Sequence, residues 1–100
     1  MAVSNAETLI AFEAKLKDWK CALHQAYRNT CFAHRSFVLL PRAVALTARG
    51  FLGEFERRGV GLCYIDGADL VVLHESPHTM PIEPWLASEA ISHVCGSHRA

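Results

Sequence analysis

The chain has no excess of charge, no long apolar run and no closely spaced cysteine pair. Each absence excludes a class of protein. Ten Lys and Arg balance ten Asp and Glu, which rules out a generic, strongly basic nucleic-acid binder. No apolar stretch approaches the roughly 18 residues needed to cross a bilayer, so no membrane association is expected. No basic, apolar, small-residue leader opens the chain, and the expected address is the cytoplasm. The four cysteines Cys21, Cys31, Cys63 and Cys95 stand far apart with no C-x-x-C spacing. They read as reduced core thiols rather than a disulfide framework. Six histidines are present, but Pro77 lies between His74 and His78, so no helix can stack that pair on one face. Cys95 and His98 do not complete a zinc-binding spacing either.

What is present suits one small domain, taken as residues 1–100. The chain has 100 residues, of which 51% are hydrophobic, enough for a single core and too apolar for disorder. The neutral total hides an asymmetry. Residues 1–58 carry nine Lys and Arg against five acids, a charge of +4, and residues 59–100 carry Arg99 against five acids, a charge of −4. A basic half suits an anionic partner, or simply a helix-rich half with solvated Lys and Arg.

Residues 8–16 read as a strand, apolar on both alternating faces until Glu13, the pattern of a central strand covered on both sides. Asp18 looks like an N-cap. Behind it Trp19, Ala22, Leu23, Ala26, Tyr27 and Cys31 recur at helical spacing, with Lys20, His24, Arg28 and Asn29 on the opposite face. Residues 36–40 form a short apolar run ending at Pro41, a buried strand followed by a helix start. That second helix extends to Arg58, with Val44, Ala48, Phe51, Leu52 and Phe55 facing inward. Gly50 and Gly53 weaken it by up to about 1 kcal/mol each, and Gly59 ends it. Residues 60–65 and 70–74 flank Asp66-Gly67, a strong hairpin signal. Residues 75–84 form a Pro-containing loop, and 85–94 a closing helix with Leu86, Ala90 and Val94 on one stripe. The order β-α-β-α-β-β-α implies an α/β domain with a mixed sheet flanked by helices.

Glu13 and Lys15 break this pattern. Two apart on a strand, they point to the same face, at the carboxyl end of a strand that otherwise reads as buried. Charges are placed there at a cost unless they are paired or liganded. The acid-x-lysine at a strand end, running through residues 11–19 into an amphipathic helix that carries Gln25, followed by the short strand 36–40, resembles the PD-(D/E)XK nuclease superfamily, the restriction-endonuclease-like fold. The resemblance covers roughly residues 2–75. A sub-branch of that family has a tyrosine four residues after the helix glutamine, where this chain has Asn29.

The resemblance implies Mg²⁺-dependent hydrolysis of DNA phosphodiesters. Glu13 and the backbone carbonyl of Ala14 would be oxygen ligands of the ion, which retains several waters. Lys15 would orient the attacking water and offset developing negative charge. Lys17, Lys20 and Gln25 would touch phosphates, near the positive end of the helix that starts at Asp18. The family also has an acid, usually Asp, on the preceding strand. With Ala2-Val3-Ser4 as that strand and residues 5–7 as its turn, Ser4 faces Thr8, and the partner of Glu13 would fall about two residues before Met1. Glu7 lies in the turn and cannot replace it. The chain therefore reads as a nuclease-like core that starts after its first metal ligand, with Mg²⁺ held weakly or not at all and little activity alone. The alternatives are a non-catalytic DNA- or protein-binding module and an unrelated small α/β protein in which Glu13 and Lys15 are incidental. An open sheet edge at residues 2–4 and uncovered apolar surface around Trp19, Leu23 and Tyr27 would favour a homodimer.

Overall fold

Two apolar strands joined by an amphipathic helix can bury both components only by lying parallel beneath it, and the chain does this twice. The computed structural model describes the backbone of residues 2–4 and the whole of residues 8–80. The strands are β1 (Ala2–Ser4), β2 (Leu9–Ala14), β3 (Arg35–Leu40), β4 (Gly61–Asp66) and β5 (Asp69–His74). The helices are α1 (Trp19–Asn29), α2 (Arg42–Ala48) and α3 (Leu52–Arg58), with a single 3₁₀ turn at Arg49–Phe51 between the last two.

The strands form one sheet in the order β1-β2-β3-β4-β5. The pairs β2/β3 and β3/β4 are parallel, and β1/β2 and β4/β5 antiparallel. The α/β class, the mixed sheet and the crossover helices are thus as expected. Two crossovers of one hand that advance the same way along a sheet place their helices on one face. The larger core accordingly joins Ala22, Leu23 and Ala26 of α1, Ala45 and Ala48 of α2 and Phe55 of α3 to Val38, Leu40, Leu62 and Tyr64 of the sheet, and a smaller cluster joins Leu9 and Ala11 of β2 to Ala33. Ser36 links the layers directly, its hydroxyl donating to the Ala26 carbonyl at 2.6 Å.

The opposite face is more open towards β4 and β5, while Ile10 and Phe12 of β2 are partly buried there. Phe12 stacks on Phe37 with ring centroids 5.5 Å apart, while Ile65, Leu70 and Val72 are left exposed. Gly61 lies under the Phe37 ring, where a Cβ would come within 2.5 Å of it. At the lower end of the sheet Ser76 is buried. It accepts from the Ser36 N–H at 3.0 Å and donates to the Gly59 carbonyl at 3.3 Å, tying residues 75–79 to the strand ends.

Several sequence-based expectations are corrected. Strand β2 ends at Ala14, not at residue 16: Leu16 is 79% exposed, because the chain bends there to begin α1. The β1/β2 register pairs Ser4 with Leu9 rather than Thr8. Alternation within residues 8–16 says which face each side chain takes but not how long the preceding connection is. The helix expected over 41–58 is interrupted at residues 49–51. As a result Phe51, expected inside, is half exposed. Tyr27 is also exposed, and Cys31 lies in the turn after α1. The surface around Trp19 and Leu23 is not bare: Leu23 is buried, and Trp19 stacks on Phe51 and Phe55 at 5.0 and 5.8 Å. The hairpin forms as expected, with Gly67 at φ 61° in the first central turn position, where a type II′ turn needs glycine. The closing helix expected over 85–94 lies outside the described residues. Among the described residues no helix is long and apolar enough to cross a membrane.

Candidate functional site

The carboxyl ends of parallel strands are where α/β sheets usually place ligands, and β2 brings Glu13 to that end. Its alternation with Leu9 and Ala11 turns Glu13 towards the helices, and the side chain is only 3% exposed. An ionised carboxylate at that depth needs partners. One is Asn29 on the last turn of α1, whose side-chain amide donates to Glu13 Oε1 at 3.0 Å. The second oxygen, Oε2, is buried without a hydrogen-bond partner.

A second oxygen is in the same condition. Gln25 stands one helical turn before Asn29, on the same face of α1, and its Oε1 is also buried and unpartnered. Helix α1 returns antiparallel to β2, so moving from Asn29 to Gln25 moves about 6 Å towards the carboxyl end of that strand. Two hard oxygen acceptors, one on β2 and one on α1, are thus left unsatisfied among the described residues, where buried polar groups are normally paired. Oxygen donors of this kind suit a hard divalent cation, which takes one or two carboxylates and completes its shell with water. Among the described residues no three His, Cys, Asp or Glu side chains cluster as a ligand set.

The other expected site residues are distributed around this point. Ala14 is exposed and closes β2. The Lys15 N–H donates to the Leu39 carbonyl at 3.2 Å, so the β2/β3 ladder continues one residue past Ala14. Alternation along that extended backbone assigns position 15 to the face of Glu13, and the residue is half-buried. Lys17 is exposed at the bend, with its carbonyl taken by the Trp19 N–H at 3.0 Å. Lys20 is exposed, its ammonium 5.7 Å from the Trp19 ring centroid. The Asp18 carboxylate caps α1 as expected, accepting from the Cys21 N–H at 3.0 Å.

Asn29 is the residue that sequence reasoning missed. Its helical position predicts the solvent face beside Arg28, yet it is half-buried and holds the carboxylate. The available signal was its spacing of four from Gln25, which puts the two amides on one face. Cys63 is not a candidate nucleophile. It is fully buried in β4, its thiol donates to the Val38 carbonyl at 3.5 Å, and burial, with a smaller contribution from Glu75, pushes its pKa up to about 12. A thiol held protonated is unreactive.

No family model, curated protein or solved structure matches the chain.

Proposed function

We propose that this protein is a nuclease-like domain whose site binds a divalent cation and a phosphodiester at the carboxyl end of β2. The observation that carries this reading is the buried Glu13 carboxylate, held by Asn29 through one oxygen and unpartnered at the other, together with a second buried, unpartnered oxygen on Gln25 of α1. Glu13, Gln25 and the Ala14 carbonyl would hold Mg²⁺, which when bound would polarise the phosphoryl oxygens and acidify a coordinated water.

The chain's own residues then have defined tasks. Glu13 supplies the fixed negative charge that selects a cation, and Asn29 restricts the carboxylate to one orientation, leaving Oε2 for the ligand. Lys15 orients the attacking water and offsets charge on the phosphate. Lys17 and Lys20, exposed at the start of α1, retain the substrate backbone. With one carboxylate, cation binding is weak and hydrolysis slow. A homodimer paired through the open side of β1 belongs to the same proposal, and light scattering at micromolar concentration tests it: a mass near 11 kDa overturns it.

The alternative is a binding module that holds nucleic acid without cleaving it, favoured by the exposure of Lys20 and Arg28 on α1. Incubating the pure protein with DNA and Mn²⁺, alongside Lys15→Ala and Glu13→Gln, separates the two. Slow cleavage lost in both variants supports the nuclease-like reading. Binding with no cleavage under any metal supports the alternative.

A further inference from the structure

We propose that the groove between α1 and α3 binds a single strand of nucleic acid, with a base stacked on Phe51 and the backbone following Lys20, His24 and Arg28. The groove has a volume of about 370 Å³ and is lined by Trp19, Lys20, Leu23, His24, Phe51 and Arg58, with Glu54 at its margin. This proposal names the substrate class of the nuclease-like reading. It rests on that reading only for what happens to the strand once bound.

Three observations converge on a strand. The first is aromatic. Phe51 stacks on Trp19 yet leaves half its surface in water, so a ring is already fixed in orientation and open to a further planar group. Base–aromatic stacking of this kind tolerates any sequence, because every base has a π-face.

The second is electrostatic. Helix α1 contains no Asp or Glu between Trp19 and Asn29, and Lys20, His24 and Arg28 recur once per turn on its exposed side. Glu54 is the one acid among the described residues that line the groove. It is ion-paired to Arg57 and lies 3.8 Å from Arg58, so this cluster is net cationic. A cationic track beside an aromatic platform fits a polyanion with exposed bases, and a duplex would hide those bases.

The third is steric. Gly50 and Gly53 flank Phe51 inside the helical segment, where each costs up to about 1 kcal/mol relative to alanine. A Cβ at either would meet nothing within 4 Å, so packing within this chain does not call for glycine. They leave open space beside the segment that carries Phe51.

Fluorescence anisotropy with labelled oligothymidylate, compared with a duplex of equal length, tests the proposal. The protein is expected to bind the single strand more tightly than the duplex, with affinity falling as salt rises. Phe51→Ala should weaken binding about ten-fold, within the range that loss of a stacked base produces, at an unchanged salt slope. Phe51→Leu keeps an apolar group against Trp19 and should show a similar loss, which separates stacking from folding. Lys20→Gln and Arg28→Gln should each lower the salt slope by about 0.7. In a Trp85→Phe background, the oligonucleotide should quench Trp19 emission.

With EDTA and no divalent cation the strand should still bind, so binding that persists while cleavage is absent bears on the nuclease-like reading alone. The groove proposal is overturned if oligothymidylate does not bind, if both Phe51 variants bind it like the parent, or if the duplex binds as well as the strand.

Discussion

Asn29 and Glu13, sixteen residues apart in sequence, are joined by one hydrogen bond of 3.0 Å that ties the last turn of α1 to the end of β2. Because Glu13 is buried, this bond is both a structural link and the means of aiming the carboxylate. Replacing Asn29 by alanine leaves both carboxylate oxygens unpartnered. The expected cost is about 1–3 kcal/mol, read as a lower urea midpoint. A midpoint equal to that of the parent would show that water reaches Glu13 freely.

Glu13→Gln should have the opposite effect on stability. The amide keeps an oxygen for Asn29 and puts a donor in place of the unpartnered oxygen, so stability should rise by about 1 kcal/mol, read as a higher urea midpoint. The same substitution should abolish cation binding. Millimolar Mg²⁺ or Mn²⁺ should raise the Tm of the parent by mass action and leave that of Glu13→Gln unchanged. Equal shifts in both proteins would place the cation elsewhere.

The Cys63 thiol should be inert. With its pKa raised from 9.0 to about 12 by burial first and Glu75 second, it stays protonated in the folded protein while the unfolded chain ionises above about pH 9. Its contribution to stability is therefore complete below pH 9 and falls as pH rises from there towards 12. Thiol reagents at pH 8 should label the half-buried Cys21 and Cys31 long before Cys63, with mass spectrometry of peptides as the readout. Early labelling of Cys63 would mean that β4 opens readily.

Two glycine substitutions should diverge in sign. At Gly53 in α3 an added Cβ meets nothing within 4 Å, so Gly53→Ala should stabilise by about 0.5–1 kcal/mol through helix propensity. At Gly61 a Cβ would lie 2.5 Å from the Phe37 ring and 2.8 Å from the His74 carbonyl. Gly61→Ala should cost about 1–3 kcal/mol through overpacking. Thermal unfolding of the two variants side by side gives both signs, and a stable Gly61→Ala would mean that β4 and β5 slide apart without penalty.

Local signals in the sequence determined the element order from β2 to β5. Short apolar runs marked the strands, Asp18 capped α1, Gly59 stopped α3 at φ 67°, and Asp66-Gly67 turned the hairpin. Each depends on residues a few positions apart, and so does the placement of Glu13 at a strand end. What only the tertiary structure decided involves partners distant in the chain. The β1 register depends on a connection length that no periodicity encodes. The exposure of Phe51 follows from a break in the helix and from Trp19 lying thirty-two positions earlier in the chain. The site itself is the clearest case. Sequence marked Glu13 and Gln25 as chemically notable, but it could not show that Asn29 holds one carboxylate oxygen while the other, and the Gln25 oxygen, remain unsatisfied. Hydrogen-bond satisfaction in a buried site depends on which surfaces meet, and that is settled only when α1 packs on β2.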